Sequence, residues 1–367
     1  FSTSVNLLGS AGPASDPTLG KPGQGDRLTV NTGTGNLIIQ QTDEILANSG
    51  LDLNLIRTYN SQGQWDGDNN DNWQLAPYQK LTVTGTPNAA GSTVVRTTGD
   101  GAETQYSYNA SLGKYVSTDG DGAHDTLTYS AGTWTLTDGS TRITETYDYN
   151  ATTKVGRLIN TKDIDGNSTT YTYNPTGLLT QVADASGQIT YLDYTDAAHP
   201  NNLTKIRTVS SGVTQTRVYY TYDPSNRLSQ VSVDLSPSDN LTTDGKVYTT
   251  TYTYDGTSKR VASITQGDGT KVNFTYEQVG TTSTYRLKTL TDALGKTTTF
   301  NYISTTQTNV VDALSQTTTY LFDASKRLTE VRTPAVSGAA LSTKYSYDSD
   351  GNLSTITDAR NNVTTLQ

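Results

Sequence analysis

The side chains best equipped for chemistry in this chain are aspartates. Asp66, Asp68 and Asn70 occupy alternate positions of the loop Trp65–Trp73, and Asp119/Asp121, Asp163/Asp165/Asn167 and Asp348/Asp350/Asn352 repeat the pattern. Oxygen donors at alternate positions of a short loop are what a calcium ion requires. The first cluster matches the opening of an EF-hand loop, but its sixth position is Asp71 and its twelfth is Pro77, where such a loop needs Gly and Glu. Gly166 and Gly351 in the middle of the later clusters fit tight turns. Turn geometry is therefore the expectation for most of these acids, and Asp66, Asp68 and Asn70 form the one metal candidate, for calcium. No other cofactor is expected.

Catalytic chemistry has little to work with. His124 and His199 are too few for a His-ligated metal centre, and no Gly-x-Ser-x-Gly elbow singles out a nucleophile. The absence of Cys removes thiolate ligands, disulfides and Cys nucleophiles. The expectation is a non-enzyme with no catalytic residue. Trp65, Trp73 and Trp134 are the candidates for stacking on a sugar, although aromatics at strand period more often serve sheet packing.

The elements that carry these residues announce themselves by repetition. A Tyr-x-Tyr pair returns roughly every two dozen residues, a period that marks stacked repeats. It stands at Tyr106/Tyr108, Tyr147/Tyr149, Tyr171/Tyr173, Tyr220/Tyr222, Tyr252/Tyr254 and Tyr345/Tyr347. Phe variants occur at Phe274/Tyr276, Phe300/Tyr302 and Tyr320/Phe322, and a stretched copy at Tyr191/Tyr194. Asp often follows the pair, as at Asp223, Asp255, Asp323 and Asp348. A second strand opens with Arg and an apolar residue: Arg157-Leu158, Arg227-Leu228, Arg260-Val261, Arg286-Leu287, Arg327-Leu328. Residues two apart share one face of a strand, so each aromatic pair stacks on its neighbours while Thr faces away. Each unit is then a hairpin and the array an antiparallel meander. The repeated Arg is expected across a Tyr ring or paired with a turn Asp.

Composition agrees. Only 32% of the 367 residues are apolar, and 24 Tyr supply much of that share, too little for a thick globular core but enough for a sheet. The net charge of −9 comes mostly from Asp beside Gly or Asn, where it serves turns. Without a Lys/Arg cluster to neutralise phosphates, nucleic-acid binding is disfavoured. No run approaches 18 apolar residues, so no membrane span is expected. Position 1 is Phe, which implies processing or a fragment.

Residues 1–26 read as an irregular Gly/Pro-rich leader, 27–145 as an N-terminal β region, and 146–367 as the repeat array. Leu51, Leu53 and Leu55 alternate with polar residues and predict a half-buried strand, while 41–48 suggests one helical turn.

The Tyr-Asp steps at Tyr222, Tyr254 and Tyr347, together with Gly156-Arg157-Leu158, Thr34-Gly-Asn-Leu37 and Gly50-Leu-x-Leu-x-Leu-x-Arg57-Thr-Tyr-Asn-Ser61, resemble the RHS/YD-repeat proteins over roughly residues 27–367. The resemblance implies an all-β fold, a spiralling antiparallel β-sheet strip that forms a hollow shell or an elongated array. It also makes Tyr171, Tyr173, Tyr220, Tyr222, Tyr252, Tyr254, Tyr345, Tyr347, Arg157, Arg227 and Arg327 structural repeat residues. Two departures stand out: no DPxG-like self-cleavage block is present, and the sequence stops inside a repeat. The resulting expectation is an extracellular or cell-surface scaffold, a wall that encloses or displays a C-terminal cargo polypeptide of toxin type. Alternatives are a self-assembling filament, joined through the leader and open sheet edges, and an adhesin for a cell-surface glycan.

Overall fold

The computed structural model describes residues 27–46, 50–63, 67–118, 122–334, 338 and 340–366. The leader expected at 1–26, the loop residues Trp65 and Asp66, and Asp119/Asp121 lie outside the described residues. Every regular element among the described residues is a β-strand, 29 in all, and no helix is long and apolar enough to cross a membrane. The chain divides into two compact units, one of residues up to 40 with 59–63 and 252–367, the other of 41–58 with 64–251.

In the second unit, the strands from Lys80–Thr84 to Val155–Lys162 pair antiparallel in chain order and close on themselves as an eight-stranded barrel. Closure is made by Val155, Gly156 and Arg157 against Thr82, Leu81 and Lys80. The interior is filled by Leu81, Val83, Val94, Tyr106, Tyr115, Leu127, Trp134, Leu136, Tyr147 and Leu158, every one of them buried. Trp134 is the hub, 5.0 Å from the Tyr115 ring and 6.0 Å from Tyr149, edge-on to both. Gly156 lets two strands close at this point, because a Cβ there would lie 3.3 Å from both Leu81 and Tyr147. A polar network lines the rest: Arg96 holds Glu145 through two bonds of 2.9 and 2.6 Å, and Tyr106 donates to Asp125 at 2.8 Å.

Strand Val155–Lys162 forks. Its first residues close the barrel, whereas Asn160, Thr161 and Lys162 pair with Thr170, Thr169 and Ser168. From the fork the meander runs on, each strand hydrogen-bonded to the next in sequence, to Val247–Thr251 in this unit. In the other unit the same pattern continues from Val261–Gln266 to Val363–Thr365. Apolar residues of the Arg-Leu strands line one face: Leu179 and Val182, Leu228 and Val231, Val261 and Ile264 are buried.

The aspartates explain the turns. Asp184, Asp223, Asp292, Asp312, Asp323, Asp348 and Asp358 each accept, on one carboxylate oxygen, the amides two and four residues ahead at 2.8–3.0 Å. Three residues after each of them the backbone turns left-handed, at Gly187, Asn226, Gly295, Ser315, Lys326, Gly351 and Asn361. A short turn closed by a left-handed residue is a standard hairpin connection with a built-in bulge, and the Asp side chain supplies what the backbone there lacks.

The helical turn suggested at 41–48 is not formed. Strand Asn36–Leu46 runs through its described part, because Gln41 and Asp43 are buried at strand period and Asp43 has a buried cation to meet. The half-buried strand expected around Leu51–Leu55 is present as Leu53–Asn60, with Leu53 and Leu55 buried and Asn54 exposed.

Candidate functional site

The repeats share one interaction rule. Where each aromatic strand meets its Arg-Leu partner the register slips by one residue, as between Thr221 and Tyr222, Thr275 and Tyr276, and Ser346 and Tyr347. The slip leaves backbone groups of the Arg-Leu strand without a ladder partner, and a buried amide or carbonyl must find one elsewhere. The carbonyl is served by the next repeat: Tyr194, Tyr276, Tyr302 and Tyr347 donate their hydroxyls to the carbonyls of Leu179, Val261, Leu287 and Leu328 at 2.7–3.0 Å.

The amide of the same residue is served by the N-terminal segment. In the second unit, Leu179 N donates to Tyr78 Oη at 3.0 Å, and Leu228 N to Asp71 Oδ2 at 3.0 Å. In the first unit, Val261 N donates to Tyr59 Oη at 3.0 Å, and Leu287 N to the carbonyl of Gly35 at 2.9 Å. Tyr194 gives its proton to Leu179, so Tyr78, 2.7 Å away, must donate to Tyr194. Burial pushes the phenols of Tyr78, Tyr194 and Tyr276 well above their ordinary range, which keeps them protonated as donors. Gly35 is required for the close approach: its backbone is left-handed, and a Cβ would lie 2.3 Å from Arg286.

The repeat arginines act as expected from their type. Arg227 pairs with Asp223 at 2.6 Å, Arg327 with Asp323 at 2.7 Å, and Arg286 with Glu277 at 2.7 Å. Arg327 also lies 4.8 Å over the ring of Tyr347 and Arg286 3.9 Å over that of Tyr302. Arg286 and Arg327 thus tie their own hairpins to the next.

One charged cluster lies deep in the second unit. Arg57 binds Asp43 through Nε at 2.6 Å and Nη2 at 2.8 Å, and Tyr220 donates to the same carboxylate at 2.6 Å. The guanidinium lies 4.9 Å from the Trp73 ring. All four side chains are buried, so the pair is a clamp between the N-terminal segment and a repeat, closed to ligands.

Of the metal candidates, Asp66 lies outside the described residues, and Asp68 and Asn70 fall in a loop whose buried acid is Asp71. That carboxylate is engaged by Trp73 N and Leu228 N. Among the described residues no group of three His, Cys, Asp or Glu could hold a metal ion. Trp73 and Trp134 are buried at 4% and 0% exposure, which rules them out as open stacking platforms. The repeat tyrosines Tyr220 and Tyr252 are buried, while Tyr171, Tyr173, Tyr222, Tyr254, Tyr345 and Tyr347 are half-buried. Sequence reasoning missed Asp43, Tyr59, Asp71 and Tyr78. Only Tyr59 carried a local signal, as part of Arg57-Thr-Tyr-Asn.

Two family models match: RHS repeat over residues 153–189, and a domain of unknown function (DUF6531) over 28–106. The chain contains an RHS repeat. The first match spans the fork and the hairpin after it; the second spans the N-terminal segment and the first barrel strands. No curated protein matches this RHS-repeat chain. Among solved structures it is similar to a crystal structure of TcdB2-TccC3 (11% identity, TM-score 0.37, 88% of this chain and 22% of that one). It is also similar to the Tc holotoxin pore of Photorhabdus luminescens (9% identity, TM-score 0.29, 90% and 25%). A third is the N-terminal domain of the effector SpvB from Salmonella typhimurium strain LT2 (13% identity, TM-score 0.31, 69% and 97%). The RHS-repeat chain spans about a quarter or less of the first two, and its all-β meander stands on its own strand pairing.

Proposed function

We propose that this RHS-repeat scaffold is a non-enzymatic, extracellular or cell-surface wall that encloses or displays another polypeptide. One observation carries this reading: the Arg-Leu strands already take up a polypeptide, the N-terminal segment, by offering it backbone amides at Leu179, Leu228, Val261 and Leu287. The acceptors are the hydroxyls of Tyr78 and Tyr59, the carboxylate of Asp71 and the carbonyl of Gly35, so the strands hold a chain by a set of placed acceptors. The ligand class is therefore polypeptide, and the chemistry is holding rather than turnover.

The test is protease protection of the natural gene product that contains these residues. If the wall encloses a polypeptide, segments outside residues 27–366 survive digestion in the intact protein and are cut once it is unfolded by denaturant. Digestion of those segments at the same rate with the wall folded or unfolded would sink enclosure, and absence of any partner polypeptide bound to the folded wall would sink display as well.

A further inference from the structure

One end of the barrel gathers aromatic rings that touch. Between centroids, Tyr129 lies 4.8 Å from Trp134 and 5.6 Å from Tyr149, and Trp134 lies 6.0 Å from Tyr149. Tyr129 and Tyr149 meet edge to face, on strands Thr126–Ser130 and Thr144–Asn150 with the Trp134 strand between them. The fully buried phenols of the barrel are all engaged: Tyr106 donates to Asp125, Tyr115 bonds Ser92 and Tyr147 donates to Glu145. Tyr129 and Tyr149 differ. Both are half-buried, and neither hydroxyl makes a hydrogen bond among the described residues.

Sulfur is the common sink for oxidants in proteins, and these 367 residues contain neither Cys nor Met. Tyr and Trp are then the side chains that give up an electron most readily, and two phenoxyl radicals in contact join through the ring carbons ortho to oxygen. Other close tyrosine pairs are less suited. Tyr78 and Tyr194 are committed to Leu179, and in Tyr108–Tyr115, 5.1 Å apart, Tyr115 is fully buried with its oxygen bonded to Ser92 at 2.7 Å. In Tyr129–Tyr149, both rings combine contact with access. Burial raises the Tyr149 phenol and the Tyr129 phenol adds to the shift, so the two oxygens lie within each other's field. The Tyr149 amide donates to the Gly132 carbonyl at 3.1 Å, and a Cβ on Gly132 would meet nothing within 4 Å, which leaves the rim room for a ring to turn.

We propose that Tyr129 and Tyr149 are a dityrosine site, cross-linked by a one-electron oxidant of the peroxidase class that uses hydrogen peroxide. Each phenol gives one electron to the oxidant and its O–H proton to water. The two radicals pair to form one C–C bond between ortho carbons, and the ortho hydrogens then move to the oxygens as protons and restore the phenols. Hydrogen peroxide takes up the two electrons and two protons and leaves as two water molecules. The link fixes the barrel rim by joining next-but-one strands. It is independent of enclosure, and either idea can fail without the other.

The experiment treats the whole chain, at high dilution, with a plant peroxidase and hydrogen peroxide. Expected are blue dityrosine fluorescence in the monomer fraction, a mass lower by two hydrogen atoms, and a digest in which the peptide with Tyr129 is joined to the peptide with Tyr149. Tyr129→Phe and Tyr149→Phe keep the rings and should abolish the link, whereas Tyr108→Phe should leave it at the wild-type level. The oxidised wild type should also unfold at a higher temperature than the untreated chain, because a cross-link constrains the unfolded state, and the two rim variants should show no such rise. Absence of dityrosine from the monomer, fluorescence confined to covalent dimers, or linkage mapped to other tyrosines would overturn the assignment.

Discussion

Tyr59 and Val261 are 202 residues apart, yet one hydroxyl joins them: it accepts the Val261 amide at 3.0 Å and donates to the Lys259 carbonyl at 3.1 Å. Tyr59 is fully buried, so this oxygen has no water to fall back on. The link is characteristic of the protein, in which a short N-terminal segment completes backbone pairing that the repeats leave open.

Tyr59→Phe keeps the ring and removes the link. Val261 N–H is then left buried without that partner, and such a loss costs about 1–3 kcal/mol. Urea unfolding followed by tryptophan fluorescence should show a lower midpoint at unchanged slope. An unchanged midpoint would mean that water or a neighbour replaces the hydroxyl.

The Arg57–Asp43 clamp should respond more strongly. Removing one partner of a buried pair strands the other charge, typically at about 3–5 kcal/mol. Asp43→Ala is therefore expected to be much less stable than Tyr220→Phe, which deletes a single bond to the same carboxylate. The ranking by thermal melt is the check, and equal losses would contradict it.

Gly139 is a packing prediction. A Cβ at this position would lie 2.2 Å from the carbonyl oxygen of His124, a backbone atom that cannot swing aside. Its amide also donates to Asp125, the acceptor of the Tyr106 hydroxyl. Gly139→Ala should cost about 1–3 kcal/mol and loosen the barrel end first. Hydrogen exchange at strands Thr126–Ser130 and Thr133–Thr137 should rise ahead of exchange in the meander.

Acid should weaken the repeats in a defined window. Hydrogen bonds from Arg332, helped by Ser342, hold Glu330 down to about 2. Burial works against the ionised form of Asp323, but its bonds from the Arg327 backbone and side chain leave it below the ordinary carboxylate value. A carboxylate with a lowered folded-state pKa contributes stability that is complete above about pH 5 and lost as pH falls through the folded value. Stability in fixed urea should therefore drop between about pH 5 and pH 2, and Glu330→Gln should flatten part of that drop.

Much of the architecture was legible in the sequence because it is local. A Tyr-x-Tyr strand, an Asp that closes its own turn and an Arg that meets an acid a few residues back all act within one hairpin, so residue type and spacing carry the information. The docking of Asp43, Asp71 and Tyr78 was not legible, because each serves a residue 100 or more positions away and none belongs to a periodic pattern. Closure of the barrel was hidden for the same reason. Gly156 could be read as part of Gly-Arg-Leu, but its partner Leu81 lies in another region of the chain. At 41–48 the sequence suggested one helical turn, whereas Arg57 makes a buried strand position tolerable for Asp43.

The separation between Tyr59 and its partners also has a consequence in time. A ribosome adds about 5–20 residues per second, so the hydroxyl of Tyr59 emerges roughly 10–40 s before the Val261 amide exists. Through that interval the hydroxyl of Tyr59 has neither the Val261 amide nor the Lys259 carbonyl to meet. The N-terminal segment therefore reaches its final pairing only after synthesis has passed residue 261.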